Sequence, residues 1–344
     1  MAKRKKDIGV ENDSCSDLVS RVCGDINKEQ FLSGNSLVEL EKQIIPISPC
    51  LDIITGGLLE GSVMIASGPP KNGKSLLALS ICANAQKPEN GNRNVWYLPI
   101  EGRLNKRDIE GIKDLNKDKF FVPQSTEDKI ISGEEYFKIA KSAIFEDPGC
   151  VIVFDSLSML CSEDEMSEEL GKQYMAPPIY KLVGQFFRQC ATAIPIKRSI
   201  VIFIVQDSAN VSGYGKKYVE KIPNTLKHQA NYKIRANKTE IITDGNAVPI
   251  GLKPTWISEH SPITGPMRTI EGRITFGVGI DEVAEIFNLG LNLPNTITKK
   301  NAGWYILDFF DEEKIQGEEN VINFLKENDP AYQLLKTTVK SFIK

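Results

Sequence analysis

Eight consecutive residues, Gly68-Pro69-Pro70-Lys71-Asn72-Gly73-Lys74-Ser75, follow the spacing GxxxxGK[ST]. Glycines at the two ends let such a loop curl so that its backbone N–H groups face phosphate oxygens. Lys74 is then placed to reach the outer phosphates, and the Ser75 hydroxyl to ligate magnesium. An apolar run stands immediately before the loop and an apolar helix, Ser75 to about Gln86, immediately after it. That helix aims its positive end at the same anion. The other half of such a site is an acidic residue ending a buried strand. The run Val-Ile-Val-Phe at 151–154 ends in Asp155, which would hold the magnesium through water at the carboxyl edge of a sheet. Hydrolysis also needs a group to position water. Glu101 lies just past the apolar run 95–98, and Gln206 just past 200–205, where a γ-phosphate sensor would sit. On the residues alone, each reads equally well as a plain loop residue. The expectation is an ATP and Mg2+ site.

The elements that must position these groups are legible as a pattern. The runs 63–66, 95–98, 151–154 and 200–205 are short, apolar and rich in β-branched or aromatic residues, as buried parallel strands are. Between them lie helices. Ile179, Leu182, Val183, Phe186, Phe187 and Cys190 recur at helical spacing, with Lys181, Gln185 and Arg188 facing away. Strand–helix alternation of this kind predicts a doubly wound α/β domain. The organisation reads as an N-terminal segment, 1–45, a core at 46–281, and a small C-terminal α/β domain at 282–344. In the last, 282–291 and 321–343 read as helices around the apolar piece 304–307.

Composition narrows the class. The chain has 344 residues and a net charge of −3, which is no wholly cationic DNA coat, although a local basic groove can still bind a polyanion. Its seven cysteines are scattered without a CxxC pair, and two histidines leave little material for zinc. No apolar run reaches the length of a membrane span, and the N-terminus lacks a signal-peptide stretch. A reduced, cytoplasmic protein without a membrane partner is expected.

In order and spacing these motifs resemble the RecA family, particularly its phage recombinases of the UvsX type. The lead-in Leu51-Asp-Ile-Ile-Thr-Gly-Gly-Leu-Leu-Glu-Gly61 and the loop GPPKNGKS carry the likeness first. It continues through Asp155 to Met175, through Phe276-Gly-Val-Gly-Ile-Asp281, and through Lys300-Asn-Ala-Gly-Trp-Tyr305, covering roughly residues 46–330. The resemblance implies a RecA-type ATPase core that assembles as a filament on single-stranded DNA and promotes strand exchange in recombination and repair. It makes Glu101 the activator of the attacking water and Gln206 the γ-phosphate sensor. Residues 168–175 correspond to a first DNA loop, with Met175 against the strand, and 207–227 to a second. The second loop carries Lys216, Lys217, Lys221 and Lys227 with interleaved Tyr214 and Tyr218, a composition suited to single-strand binding. Further copies of the chain, a single-strand-binding protein and a loader are the implied partners.

Four departures stand out. Pro99 replaces an acidic residue of the family pattern, and 103–109 contains no aromatic residue to stack on adenine. Where the family places lysines that complete a neighbour's ATP site, this chain has Glu259-His260-Ser261-Pro262, which makes His260, aided by Lys253 or Arg268, the candidate to act in trans. Residues 1–45 match poorly, yet would have to carry the arm that joins subunits. Two other readings remain open: an ATP-binding, assembling paralogue with weak hydrolysis, and a hexameric helicase of the same fold.

Overall fold

The computed structural model describes residues 41–169, 177–209, 218–220, 222–244, 246–311 and 313–343. The described elements begin with strand β1 (Ile44–Ile45), helix α1 (Pro49–Thr55) and strand β2 (Leu58–Leu59), which pairs back on β1. Strand β3 (Val63–Gly68) leads through the glycine-rich loop into α2 (Lys74–Ala85), followed by β4 (Val95–Leu98), α3 (Lys106–Glu110) and β5 (Phe120–Phe121). Next come α4 (Gly133–Glu146), β6 (Val151–Phe154), α5 (Glu163–Ser167), α6 (Pro178–Cys190) and α7 (Ala193–Ile196). Strands β7 (Ile200–Ala209) and β8 (Tyr218–Glu220), helix α8 (Asn224–Gln229), and strands β9 (Tyr232–Thr243) and β10 (Pro249–His260) complete the long elements of the core. Three short strands follow, β11 (Arg268–Glu271), β12 (Ile274–Thr275) and β13 (Gly279–Ile280).

Strands β5-β4-β6-β7-β3-β9 lie side by side and parallel, and all four strands expected from the sequence fall in this block. Beyond β9 the sheet turns antiparallel through β10, β12 and β13. Side chains alternate between two apolar layers, as a pleated strand requires. Ile200, Ile202 and Ile204 pack with α2, while Val201, Phe203 and Val205 pack with α4 and α6. Phe154 and Phe203 stack at 4.6 Å, and Phe137 and Phe186 close over Phe154. The α/β class with helices on both faces is therefore observed. The long β9–β10 pair was not anticipated. Its outer half carries Asn237, Lys238, Glu240 and Thr243, and only Tyr232 to Arg235 pair with β3, so it lacks the apolar run that marks a buried strand.

Asp281 caps α9 (Glu282–Gly290), and its other oxygen pairs with Lys326 at 2.7 Å. A three-stranded antiparallel sheet follows, β14 (Ile297–Lys299), β15 (Trp304–Leu307) and β16 (Glu313–Gln316), then α10 (Glu318–Glu327) and α11 (Asp329–Ile343). These elements enclose an apolar cluster of their own around Phe287, Tyr305, Leu325 and Leu335. The single helix expected over 321–343 is two, because α10 ends at Asn328 and Pro330 sits in the first turn of the next, where its missing N–H costs nothing.

Helix α1 is stitched to α9 by a buried carboxylate. Glu285 accepts the N–H of Cys50 at 3.0 Å and that of Arg273 at 3.1 Å. Burial raises its pKa to about 7 from an ordinary 4.5, and burial likewise raises neighbouring Asp52 to about 7. Below the ordinary carboxyl range both folded and unfolded chains hold the Glu285 proton. As pH rises the unfolded chain releases it first, so the folded state loses up to about 3 kcal/mol by the time pH passes 7. The melting temperature of the wild type, measured against that of Glu285→Gln between about pH 5 and pH 8, should therefore fall as pH rises. A gap that stays constant would mean Glu285 is ionised throughout.

Candidate active site

Gly68 closes β3 at φ 139°, and a Cβ there would lie 2.5 Å from the Ala236 carbonyl oxygen on β9. Gly73 starts α2 in the left-handed region, φ 78°, where a Cβ would meet Ile274 at 2.5 Å. These positions admit glycine alone, and they shape the loop through Pro69, Pro70, Lys71 and Asn72. Lys74 is the first residue of α2. Its Nζ donates to the carbonyls of Gly68 at 3.0 Å and Pro69 at 2.6 Å, and the residue is only 5% exposed. Burial lowers its pKa to about 8, against the pull of Asp207, Asp155 and Glu101, which favour the charge.

Asp155 follows β6 at the carboxyl edge of the sheet. Its Oδ2 accepts a 2.5 Å bond from the Tyr97 hydroxyl, and the Ser75 hydroxyl also bonds to its carboxylate. Burial nonetheless keeps the Asp155 carboxyl above its ordinary range. Glu101 stands beside it, with its backbone N–H on the Asp155 carbonyl at 3.2 Å. Glu101 Oε1 accepts from Ser156 Oγ at 2.5 Å and from the Gln206 side-chain amide. Its Oε2 lies 3.4 Å from the exposed guanidinium of Arg103. The Gln206 backbone N–H donates to Ser158 Oγ at 2.9 Å, and the β3–β7 register sets Gln206 opposite Gly68.

The four sequence-nominated groups Lys74, Asp155, Glu101 and Gln206 thus share the wall of one cavity of about 420 Å³ with loop residues 70–75. One carboxylate and one hydroxyl, Asp155 and Ser75, are hard oxygen donors. A magnesium ion suits so small a protein set because it keeps several waters and takes its remaining oxygens from phosphate. The residues present therefore fit the ion. Sequence reading missed Tyr97 and gave Ser156 no role. The available signal was a hydroxyl near the carboxyl end of a buried strand in one case, and adjacency to Asp155 in the other.

A family model, the RecA N-terminal domain, matches residues 35–281. The chain belongs to the RecA family. It is 29% identical over 301 residues to Protein RecA of Phytoplasma mali, a match covering 86% of this chain and 85% of the relative. With Protein RecA of Methylococcus capsulatus it shares 27% over 339 residues, covering 92% and 93% of the two chains. With that of Caldanaerobacter subterraneus it shares 27% over 326 residues, covering 94% and 91%.

The RecA-family match contains the whole cavity wall. Pro99 lines it, as do Arg103, Leu104, Asn105 and Asp108, and Leu76, Leu79 and Leu252 supply its apolar side. The candidate DNA residues are not all placed. Met175, Lys216, Lys217 and Lys221 lie outside the described residues, and Lys227 is exposed on α8. The acidic approach to the first loop is helix α5, where Glu165 closes a capping box with Ser162, and Glu163 accepts from Ser132. His260 is exposed at the end of β10, opposite Lys233, and Lys253 pairs with Glu271 at 3.0 Å.

The depressed Lys74 value has a direct consequence, because a neutral amine cannot pair with phosphate. Titration of a fluorescent ATP analogue should show the dissociation constant rising toward tenfold per pH unit above about pH 8. An affinity constant to about pH 9.5 would show Lys74 charged over the whole range.

Proposed function

We propose that this protein is an ATP-dependent DNA recombinase that assembles on single-stranded DNA and promotes homologous pairing and strand exchange. The observation that carries the reading is the Glu101 carboxylate, which accepts from both Ser156 and Gln206 at the sheet edge that also presents Lys74 and Asp155. Such a carboxylate is held to a fixed position yet keeps an oxygen facing the exposed side, toward Arg103. Lys74, Gly73 and the N–H groups at the start of α2 bind the phosphates of ATP. Ser75 and Asp155 hold magnesium, which when bound neutralises charge on the phosphate oxygens. Glu101 takes the proton of the attacking water, and Gln206 relays the presence of the terminal phosphate to the strand that leads toward the second DNA loop.

Lys216, Lys217, Lys221 and Lys227 pair with DNA phosphates and Met175 lies against the strand, while base pairing rather than side chains reads homology. Residues 1–45 act as the arm that joins neighbouring subunits, 46–281 as the ATPase core and 282–344 as a separate small domain. His260 completes the ATP site of an adjacent copy. The loop form GPPKNGKS supports placing the chain with the phage recombinases of the UvsX type, working in the cytoplasm of a bacterial cell or a phage-infected host with a single-strand-binding protein and a loader. A second reading, an assembling paralogue with weak turnover, is favoured by the lack of lysine at 259–262 and by Pro99.

ATP hydrolysis measured with and without single-stranded DNA separates the two. The recombinase reading requires strong stimulation by DNA. Glu101→Gln should keep both ligands while slowing hydrolysis on the order of 100-fold, the usual worth of a positioned base. His260→Ala in the same assay should lose much of the stimulation, and full retention would remove His260 from the site. ATP binding with no stimulated turnover would establish the paralogue. DNA affinity should depend steeply on salt, and replacing Lys216 and Lys217 with alanine should flatten the slope by about one per phosphate contact removed. An unchanged slope would take those lysines off the DNA.

A further inference from the structure

Beside the cavity lies a set of partly buried charges, with Asp207 the deepest, that the reaction does not use. Strand β8 runs antiparallel to β7, with Asp207 opposite Glu220, so these two residues stand at the base of the segment 210–217. Glu220 makes three contacts. Its Oε1 accepts from Ser67 Oγ at 2.9 Å and from Arg235 at 2.8 Å, and its Oε2 pairs with Lys233 at 2.5 Å. Arg235 reaches on to Asp207 at 2.6 Å, and Lys233 to Glu259 at 2.7 Å. Ser67 is the residue before Gly68, and it lies opposite Arg235 in the β3–β9 register.

The charges in this set do not balance by themselves. Asp207, Glu220 and Glu259 are three acids, while Lys233 and Arg235 are two bases. Among the described residues Lys74 also acts on Asp207, which favours the charged form of Lys74 more than Asp155 or Glu101 does. Asp207 is fully buried at its side chain, and its Oδ1 has no hydrogen-bond partner among the described residues. Burial pushes the Glu220 carboxyl up, yet Lys233, Ser67 and Arg235 together outweigh it and leave Glu220 below its ordinary value. A charge-assisted bond at this depth is costly to leave unmade, so the groups it joins tend to move as one.

We infer that Glu220 is a positioning residue that couples the second DNA loop to the phosphate loop, through Ser67 on β3 and through Arg235 and Asp207 on β9 and β7. It acts beside Gln206 and by a separate route. Gln206 contacts Glu101 from within the cavity, whereas Glu220 fixes the strand returning from the loop to the strand that enters the glycine turn. A shift of Gly68 and Lys74 on phosphate binding displaces Ser67 and withdraws a cation that acts on Asp207 alongside Arg235, and both changes arrive at Glu220. This rests on the reading that the core binds ATP and that the segment between β7 and β8 meets DNA.

The test is a linkage measurement on the full-length protein. A fluorescent oligothymidylate is titrated with and without a non-hydrolysable ATP analogue, and the analogue with and without the oligonucleotide. The ratio of affinities, equal from either side, is the coupling factor. Ser67→Ala and Glu220→Gln should each lower that factor about tenfold, and the double variant should go no lower than Glu220→Gln alone. Damage confined to stability would move the melting temperature and leave the ratio intact. Ser67→Ala removes a single oxygen, so it decides the matter even where Glu220→Gln fails to fold. A coupling factor unchanged in folded Ser67→Ala, with the wild type showing coupling, overturns the link and leaves the recombinase reading standing. A wild type that binds no oligonucleotide overturns that reading, and the link with it.

Discussion

The parallel pairing of β3 with β7 is the contact on which the rest of the site depends. It sets Gly68 opposite Gln206, and hence the phosphate loop beside the end of the strand that carries the sensor candidate. Both strands are apolar on both faces through this stretch, with one layer packed on α2 and the other on α4 and α6. A slip of one residue would exchange the two layers and move every polar group at the edge, so burial on both sides fixes the register. Strand β6, paired on the far side of β7, brings Asp155 to the same edge, and β4 beside it brings Glu101. Four polar groups from four segments meet because four hydrophobic strands can align in only one way.

The same edge shows how charge is tolerated inside the fold. Lys74 is nearly buried, and burial loosens its proton although two carbonyls hold it and acids face it. Glu285 is buried with two backbone N–H groups and the Ser48 hydroxyl for company, and its proton is held more tightly than usual. Desolvation disfavours the charged form of both, and the opposite directions follow from opposite sign alone. One group lies where an incoming anion would restore the charge; the other lies where two helices meet and nothing further arrives.

How much of this was legible depended on local signals. The four buried strands and the loop between them announced themselves as apolar runs ending in Gly68, Pro99, Asp155 and Gln206, since parallel strands buried on both faces leave continuous apolar text. The helix at α6 was equally plain from its spacing. The β9–β10 pair was not, because its outer half is polar and its register is set by a few residues beside β3. The break at Asn328 was masked by helical residues on both sides of it. In the site, Glu101 and Gln206 were found by position after a strand, but their mutual contact through Oε1 arises from the alignment of β4 with β7 across β6 and has no counterpart in sequence distance. The Glu220 cluster was invisible for the same reason, as its members come from β3, β7, β8, β9 and β10.

That cluster also limits how the sequence can drift. Each base pairs with at least two acids, so an acid replaced alone takes one partner from the bases it holds, and Arg235 replaced alone leaves Asp207 without its pair, both at a cost to stability. Asp207, Glu220, Lys233, Arg235 and Glu259 can therefore be exchanged only in compensating combinations, and Ser67 can change freely only where Glu220 has already gone. Related chains should inherit the set whole or lack it whole, so that its presence or absence marks a lineage.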